Sequence, residues 1–205
     1  MAGIEKNSAA SHPWISTREM AFCSLFAILI GVGANIKIPL PYVPITLQTV
    51  MVFLAALLLG SKRGALALFM YTLLGLVGLP MFTSGGGFQS IASPSFGFVV
   101  GFIPAAWAAG RIRELTAPRF KTAAGAAASR VAACLAAEFI FDFIGIAWLY
   151  LNLNYVAGKG FTIYEVLGFG LFPFLIPDAL KLAVAVVIAS IVTSRVPHFD
   201  EQASS

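Results

Sequence analysis

Two groups of opposite charge lie three residues apart near the carboxyl-terminal end of the sequence, inside an apolar stretch. At that spacing Asp178 and Lys181 share one face of a helix. Charged side chains at membrane depth are costly and usually line a functional cavity. The carboxylate can accept from N–H groups and the ammonium can donate to a carbonyl or a carboxylate, so the pair suits a small polar ligand. The alternative is an ion pair that only fixes the helix.

Other polar residues that could contact the same ligand lie in two segments that contain no charged residue. Residues 80–95 contain three consecutive glycines and no helical periodicity, which predicts a loop long enough to fold over a ligand. The backbone amides of this loop and the Gln89 side chain can serve a ligand, the alternative being a flexible surface turn. Thr46, Gln48 and Thr49 open an apolar helix, where capping and interhelical hydrogen bonds explain them equally well. The candidates from these two segments are Ser84, Gly86, Gln89 and Thr46.

Two acids, Glu138 and Asp142, lie one helical turn apart in another apolar segment, with Arg130 two turns earlier. Acids at mid-membrane depth can form a proton relay or a cation path, which would make the chain an ion-coupled carrier. The alternative, which we favour, is that Glu138 pairs with Arg130 or that a protonated acid is buried between helices.

Signatures of catalysis and of metal binding are missing from the sequence. No Walker phosphate loop, Ser-His-Asp set or zinc-ligand spacing occurs, and both histidines lie near the chain ends. Cys23 and Cys134 stand alone in apolar stretches and are interpreted as small core residues. We therefore expect no enzymatic activity, no metal site and no resident cofactor.

The composition indicates that a membrane domain positions these residues. The chain has 205 residues, of which 59% are apolar and 11% charged, and its mean hydropathy is +0.90. A helix needs about 20 apolar residues to cross the hydrocarbon layer, so this length allows about six crossings with short loops. We predict an all-α polytopic membrane protein, a bundle of six transmembrane helices with an outward-facing ligand pocket. Residues 19–196 would form this domain, and residues 1–18 and 197–205 would be cytoplasmic.

Apolar segments and the residues that interrupt them give approximate bounds for the helices. The segment 47–59 is short for a crossing, so it should begin inside the protein instead of at the lipid surface. The predicted transmembrane helices cover about residues 19–38, 47–59, 65–79, 96–112, 122–151 and 177–195, with a short interfacial helix within 162–172.

Basic residues assign the orientation, because Lys and Arg concentrate in cytoplasmic loops. With both termini inside, nine basic residues fall on the cytoplasmic side of the cell membrane and only Lys37 and Lys159 fall outside. The loop 80–95 and Asp178 then lie on the outer side, so their pocket opens outward. The net charge of +4 is scattered between apolar segments and forms no patch for nucleic acid. The nine residues are Lys6, Arg18, Lys62, Arg63, Arg111, Arg113, Arg119, Lys121 and Arg195.

Small residues recur on one face of the first predicted helix. Ala27, Gly31 and Ala34 have the spacing that permits close contact between helices. Either a partner helix docks on this face or the face packs within the same bundle, and the sequence leaves both open.

The order of several short motifs resembles that of one known family. Residues 44–49 read PITLQT, residues 78–80 read GLP and lead to three glycines at 85–87, and residues 173–175 read PFL shortly before the charged pair. Each motif alone is common, but in this order over about residues 20–190 they resemble the BioY family of biotin transporters.

That resemblance implies the S component of an energy-coupling factor (ECF) transporter, a membrane subunit that captures biotin outside and reorients in the membrane. It also implies partners, namely a transmembrane coupling subunit with two ATPase subunits that drive uptake. Family members contact the coupling subunit through small residues of helix 1, which Ala27, Gly31 and Ala34 match here, with Gly31 in place of an alanine.

Biotin makes chemical sense of the candidate residues under this resemblance. Its ureido ring presents two N–H groups, which suit Asp178, and one carbonyl, which suits Lys181 or Gln89. The tail carboxylate suits backbone amides of the glycine-rich loop or Lys181. The apolar ring and tail need a lining from residues such as Tyr42, Phe82, Phe88 and Trp148.

The leading interpretation is therefore a biotin-binding membrane subunit, driven by an ATPase module or working alone where that module is missing. The rival interpretation is an ion-coupled secondary carrier of a small carboxylated solute that uses Glu138 and Asp142.

Overall fold

The computed structural model of the protein describes residues 16–120 and 122–196. The predicted cytoplasmic residues 1–15 and 197–205 lie outside this part of the chain. Within it, six α-helices and one small ribbon confirm the all-α class. The helices run over Thr17–Asn35 (α1), Gln48–Leu76 (α2), Phe96–Thr116 (α3), Ala123–Leu151 (α4), Ile163–Gly170 (α5) and Leu175–Arg195 (α6). Four of them, α1, α2, α4 and α6, are by length and composition apolar enough to cross a membrane, where α2 is counted over all of its 29 residues.

Helix α1 begins at a capping box and ends earlier than predicted. The Ser16 hydroxyl accepts from the Glu19 amide, and the Glu19 carboxylate accepts from the Ser16 amide at 2.8 Å. The predicted extension to residue 38 is wrong, because β1 (Lys37–Ile38) pairs antiparallel with β2 (Ile45–Thr46). Pro39, Pro41 and Pro44 lie in the segment that joins these two strands.

Helix α2 is a hairpin of two helices that joins the predicted segments 47–59 and 65–79. At Gly60 the backbone has φ 81°, a conformation that favours glycine. The Gln48 side chain donates to the Tyr71 hydroxyl at 2.8 Å across 23 residues, whereas a straight helix would separate them by about 34 Å. A Cβ on Gly64 would lie 3.3 Å from the Ala55 carbonyl oxygen, so the second half returns along the first.

The halves of α2 are shorter than a membrane crossing, and their ends are buried. Halves of about 12 and 16 residues span about 18 and 24 Å, less than the hydrocarbon thickness of about 30 Å. Gln48 and Thr49 are 4% and 7% exposed. The prediction that this helix begins inside the protein is therefore confirmed, and polar side chains at its start face other protein groups instead of lipid.

The glycine-rich loop follows α2 and is attached to the ends of α1 and α2. The Gly87 amide donates to the Gly75 carbonyl at 2.7 Å, and the Asn35 side chain donates to the Pro80 carbonyl at 3.1 Å. Phe82 is 3% exposed and occupies the space where a Cβ on Gly75 would stand. The ammonium of Lys37 also donates to a loop carbonyl, that of Thr83. The segment is thus a packed loop, with a 3₁₀ turn over Phe88–Ala92.

At the end of the bundle away from the glycine-rich loop, polar contacts around the Gly60 turn join α1, α2 and α3. Arg63 pairs with Glu19 at 2.5 Å. The Glu114 carboxylate accepts from the Ser61 amide at 2.7 Å and from the Ser61 hydroxyl at 2.8 Å. Most basic residues of the described chain lie at this end, so the charge asymmetry of the sequence corresponds to two ends of the molecule.

The carboxyl-terminal part of the fold matches its prediction closely. Helix α4 continues as a π-helical turn to Val156. The predicted interfacial helix is α5, where the Thr162 amide and hydroxyl donate to Glu165 and hold the pKa of that carboxyl below its ordinary value. Helix α6 begins at Leu175, two residues before the predicted start at Pro177. Proline is tolerated there because the first turn of a helix has no partners for its N–H groups.

Candidate functional site

A cavity opens between the ribbon, the start of α2, and helices α3, α4 and α6. The space between these elements, with the solvent at its open mouth included, is about 540 Å³. Its walls are mostly apolar, with a few convergent polar groups. The lining residues are Val43, Pro44, Thr46, Gln48, Thr49, Thr83, Ser95, Phe98, Val99, Phe102, Phe141, Asp142, Phe174, Asp178 and Lys181.

The charged pair of α6 lies in this cavity. Lys181 Nζ donates to Asp178 Oδ1 at 2.7 Å, and the two residues are 7% and 3% exposed. Both residues are therefore on one helix face, as their spacing predicts. A buried ion pair stabilises a fold only weakly, because desolvation offsets most of the attraction. The second carboxylate oxygen and the remaining ammonium hydrogens are directed to no other described residue, so they are available to a ligand.

Asp142 brings a second carboxylate to the cavity from α4. The lining of described residues thus carries two acids and one amine. Glu138, one turn earlier, is half-buried and is not among the lining residues. The predicted pairing of Glu138 with Arg130 is wrong, because the guanidinium of Arg130 donates to side chains of α6 instead. Its partners are Ser190 at 3.2 Å and Thr193 at 2.9 Å.

The start of α2 supplies an oriented amide group. Gln48 lines the cavity, and its Nε2 donates to the hydroxyl of Tyr71, which is fully buried. Tyr71 is itself held edge-on against Phe82, with ring centroids 5.5 Å apart. The Thr46 hydroxyl accepts from the backbone N–H of Gln48 at 3.3 Å, and Thr46 also lines the cavity. Thr46 therefore combines the helix-start and cavity roles that the sequence leaves open.

Phenylalanines of α3, of α4 and of the turn before α6 form the apolar wall. Phe102 and Phe141 meet edge-on with centroids 5.2 Å apart. Phe98 lies where a Cβ on Gly145 would stand, with Cδ1 at 2.3 Å from that position. Sequence reasoning missed these lining residues, although the small residue at position 145 marks a helix face that admits a ring from a neighbour. The wall consists of Phe98, Phe102, Phe141 and Phe174.

Several predicted contacts in the glycine-rich loop lie outside the lining. Gln89 is exposed, and its side chain donates to the Gly86 carbonyl at 2.5 Å. Gly86 packs against the backbone of Leu79, where a Cβ would approach the carbonyl oxygen to 2.0 Å. Ser84 is exposed and Phe88 is 71% exposed. Their contact with a ligand stays a prediction, and Thr83 is the loop residue that lines the cavity.

Tyr42 and Trp148, two predicted aromatic contacts of the ligand, lie outside the cavity lining and pack against elements that form it. Tyr42 packs edge-on against Phe169 of α5, with centroids 4.9 Å apart. Trp148 donates its ring N–H to the Ser93 carbonyl at 3.1 Å, which attaches the end of the glycine-rich loop to α4. Neither ring is among the lining residues. Both rings hold elements that form the cavity.

The small face of α1 is turned into the bundle. Ala27 and Ala34 are fully buried, and a Cβ on Gly31 would meet Met81 of the glycine-rich loop at 2.8 Å. Packing within the bundle, the alternative left open by the sequence, explains this face. Docking of a partner there stays a prediction that requires the face to be uncovered first.

The described residues contain no group of three His, Cys, Asp or Glu that could hold a metal ion. Cys23 and Cys134 are both buried and free, as expected for small core residues. The cavity lining can accept hydrogen bonds from a small ligand and donate hydrogen bonds to it, and its phenylalanines can pack against an apolar part of that ligand. Among the described residues, no hydrogen bond joins a hydroxyl of the lining to one of its acids or to Lys181, the arrangement that an activated nucleophile has.

Sequence comparison finds relatives over most of the chain. The model of the BioY family matches residues 6–198. The "Probable biotin transporter BioY" of Lysinibacillus sphaericus is 40% identical over 143 residues, which are 68% of each chain. The "Biotin transporter BioY" of Thermotoga maritima is 37% identical over 176 residues, which are 84% of this chain and 94% of the relative.

Among solved structures, the fold is similar to the crystal structure of the S-component for biotin from an ECF-type ABC transporter. The TM-score is 0.73 at 23% sequence identity, and the match covers 86% of this chain and 91% of the other. At this identity the likeness concerns the fold.

Proposed function

We propose that this chain, which belongs to the BioY family, is a membrane transport subunit that binds biotin in the cavity beside Asp178 and Lys181. The observation that carries the proposal is the buried ion pair in a cavity that also has a wall of phenylalanines. Such a pair offers one strong acceptor and one strong donor within a few ångströms. Biotin has the matching groups, two ureido N–H donors beside one carbonyl, on an apolar bicyclic body.

Each part of the cavity has a proposed role in holding the vitamin. The Asp178 carboxylate accepts from the ureido N–H groups, and the Lys181 ammonium donates to the ureido carbonyl. The phenylalanine wall packs against the bicyclic ring and the thioether. Hydroxyls of Thr83 and Ser95 lie in the lining contributed by the loop and α3, where they can bind the tail carboxylate. No arginine lines this cavity within the described chain, so these hydroxyls are the proposed hydrogen-bond donors to that carboxylate.

The energy for uptake is proposed to come from an ECF coupling subunit with two ATPase subunits. The solved protein of similar fold is the S-component of an ECF-type ABC transporter, which supports this assignment. We place the cavity at the outer face of the cell membrane and both termini inside, because the basic residues concentrate at the opposite end of the bundle. Uptake of labelled biotin by cells that lack their own transporter tests this. The chain should need a co-expressed module for concentrative uptake, and full ATP-driven accumulation without one would contradict the partner assignment.

The alternative function, an ion-coupled carrier, is favoured by one observation, the two acids of α4 close to the cavity. Asp142 lines the binding cavity, so its replacement changes binding under either function. Glu138 does not line it and separates the two functions. We expect Glu138→Gln to leave biotin affinity within about twofold of wild type and to leave uptake intact, because the Glu138 side chain is not part of the cavity lining. If Glu138→Gln binds biotin normally but no longer takes it up in response to a proton gradient, the carrier is supported.

The Tyr71 hydroxyl is a positioning group whose removal should weaken binding. In Tyr71→Phe the buried Gln48 amide loses its partner, which costs about 1–3 kcal/mol and frees the side chain to rotate. We expect about tenfold weaker biotin binding, measured by calorimetry on detergent-purified protein. Tyr155→Phe is the matched control, because Tyr155 is 78% exposed. Equal affinities of the two variants would show that biotin binding does not depend on the hydrogen bond between Gln48 and the Tyr71 hydroxyl.

A further inference from the structure

The burial of the lining residues indicates which end of the cavity meets water. The charged pair of α6 lies at a buried end, with its two residues 3% and 7% exposed. The half-buried members of the lining are Pro44, Thr83, Ser95 and Asp142. The first three come from the segment between β1 and β2 and from the glycine-rich loop. The cavity therefore runs from a buried charged end to a mouth between the ribbon and this loop.

The mouth is lined by polar groups that carry no charge. If the ureido head binds the charged pair, as in the proposed function on which this inference rests, the tail of biotin ends near Thr83 and Ser95. The Ser95 hydroxyl shares one hydrogen bond with that of Ser93 at 3.0 Å and keeps capacity for a ligand. A hydroxyl can both donate and accept, so it can bind a carboxylate or a neutral amide.

A tail carboxylate finds no free counter-charge in this lining. Within the described chain, Lys181 is the one lysine or arginine that lines the cavity, and its ammonium is 2.7 Å from the Asp178 carboxylate. Lys37 donates to the Thr83 carbonyl but is exposed, so solvent screens its charge. The remaining titratable group of the lining is a second acid, Asp142, which cannot neutralise an anion.

We propose that the cavity binds biotin amides, in which the tail carboxyl is joined to an amine, about as tightly as free biotin. An amide keeps the ureido ring, the bicyclic body and the tail that the inner part of the cavity holds. It removes only a negative charge that no cation of the lining neutralises. The group beyond the amide nitrogen extends through the mouth into water. The ligand class is therefore biotin with a free or an amidated carboxyl group.

Competition binding on the wild-type chain, purified in detergent, tests this proposal. Radiolabelled biotin is displaced by unlabelled biotin, by its primary amide, and by biotin joined through an amide to the side chain of free lysine. We expect the three dissociation constants to agree within about threefold, because a charge at a solvated mouth contributes little. Amides that bind more than about tenfold more weakly than biotin would overturn this inference alone. Failure of biotin itself to bind would contradict the proposed function.

A cation added at the mouth should create the missing preference for an anion. Thr83→Lys places an ammonium in the lining, and we expect it to bind biotin about tenfold more tightly than the primary amide. Ser84→Lys is the matched control, because Ser84 is the exposed neighbour outside the lining, and it should bind the two ligands equally. A preference in both variants or in neither would show that the tail does not end at Thr83, and would overturn the proposal.

Discussion

Asp178→Asn should weaken biotin binding at least about 100-fold. The change removes the charged acceptor for the ureido N–H groups, and each charge-assisted hydrogen bond contributes about 1.5–3 kcal/mol. It also leaves the ammonium of Lys181, which is 7% exposed, without the opposite charge that lies 2.7 Å away. Breaking a buried pair in this way costs about 3–5 kcal/mol. Binding isotherms of the purified variant measure the effect.

The control for this variant is another replacement of a carboxylate by an amide, made at a residue outside the cavity. Glu165→Gln also changes a carboxylate into an amide, at the exposed start of α5, where the capping bonds can persist. Its affinity should equal that of wild type. Undiminished binding by folded Asp178→Asn would remove Asp178 from the site and leave Asp142 as the acid that recognises the ligand.

Gly110→Ala should destabilise the fold by about 1–3 kcal/mol, because α3 touches the Gly60 turn at this residue. A Cβ on Gly110 would lie 2.3 Å from the Ser61 amide nitrogen and 2.5 Å from the Gly60 carbonyl carbon. Both are backbone atoms, so the helix must move. That movement would also disturb the bond from the Ser61 amide to Glu114 at 2.7 Å. Thermal unfolding in detergent measures the loss.

Gly168→Ala provides the comparison for Gly110→Ala. A Cβ on Gly168 of α5 would meet nothing within 4 Å. Alanine is intrinsically the better helix former, by about 0.8–1.0 kcal/mol, so this variant should equal or exceed the stability of wild type. If Gly110→Ala unfolds at the same temperature as Gly168→Ala, the close contact between α3 and the Gly60 turn is not a constraint on the fold.

Local patterns in the sequence predict much of the fold. Apolar segment lengths and prolines give the helices to within a few residues, and the i,i+3 spacing gives the shared face of Asp178 and Lys181. The same local reasoning fails at the end of α1, where Lys37 pairs with Thr46. Pairing between strands depends on residues distant in sequence, so helix-like periodicity continues past the true end of the helix.

The candidate site is less predictable than the fold because its lining depends on which faces meet. Thr46 and the α6 pair lie in segments whose position follows from topology. Gln89 turns back onto its own loop through Gly86, and the loop is held by Phe82 in the space beside Gly75. Such contacts arise from packing between segments, and no spacing in the sequence encodes them.

Tertiary packing determines which neighbours the side chains of α1 and α4 contact. Gly31 has the same spacing whether it faces a partner helix or Met81, and only the fold places Met81 there. Likewise Arg130 could pair two turns along its own helix with Glu138 or bond across to Ser190, and in the structure it bonds across. Interhelical hydrogen bonds compete with pairs within a helix, so sequence spacing alone does not choose between them.

Equilibrium binding of biotin to the wild-type chain, purified alone in detergent, tests the central claim most directly. A subunit that captures biotin before energy is supplied must bind it without ATP, without an ion gradient and without partner proteins. We predict saturable, tight binding of one biotin per chain that is competed by unlabelled biotin. Absence of tight binding by folded wild-type protein would contradict the account.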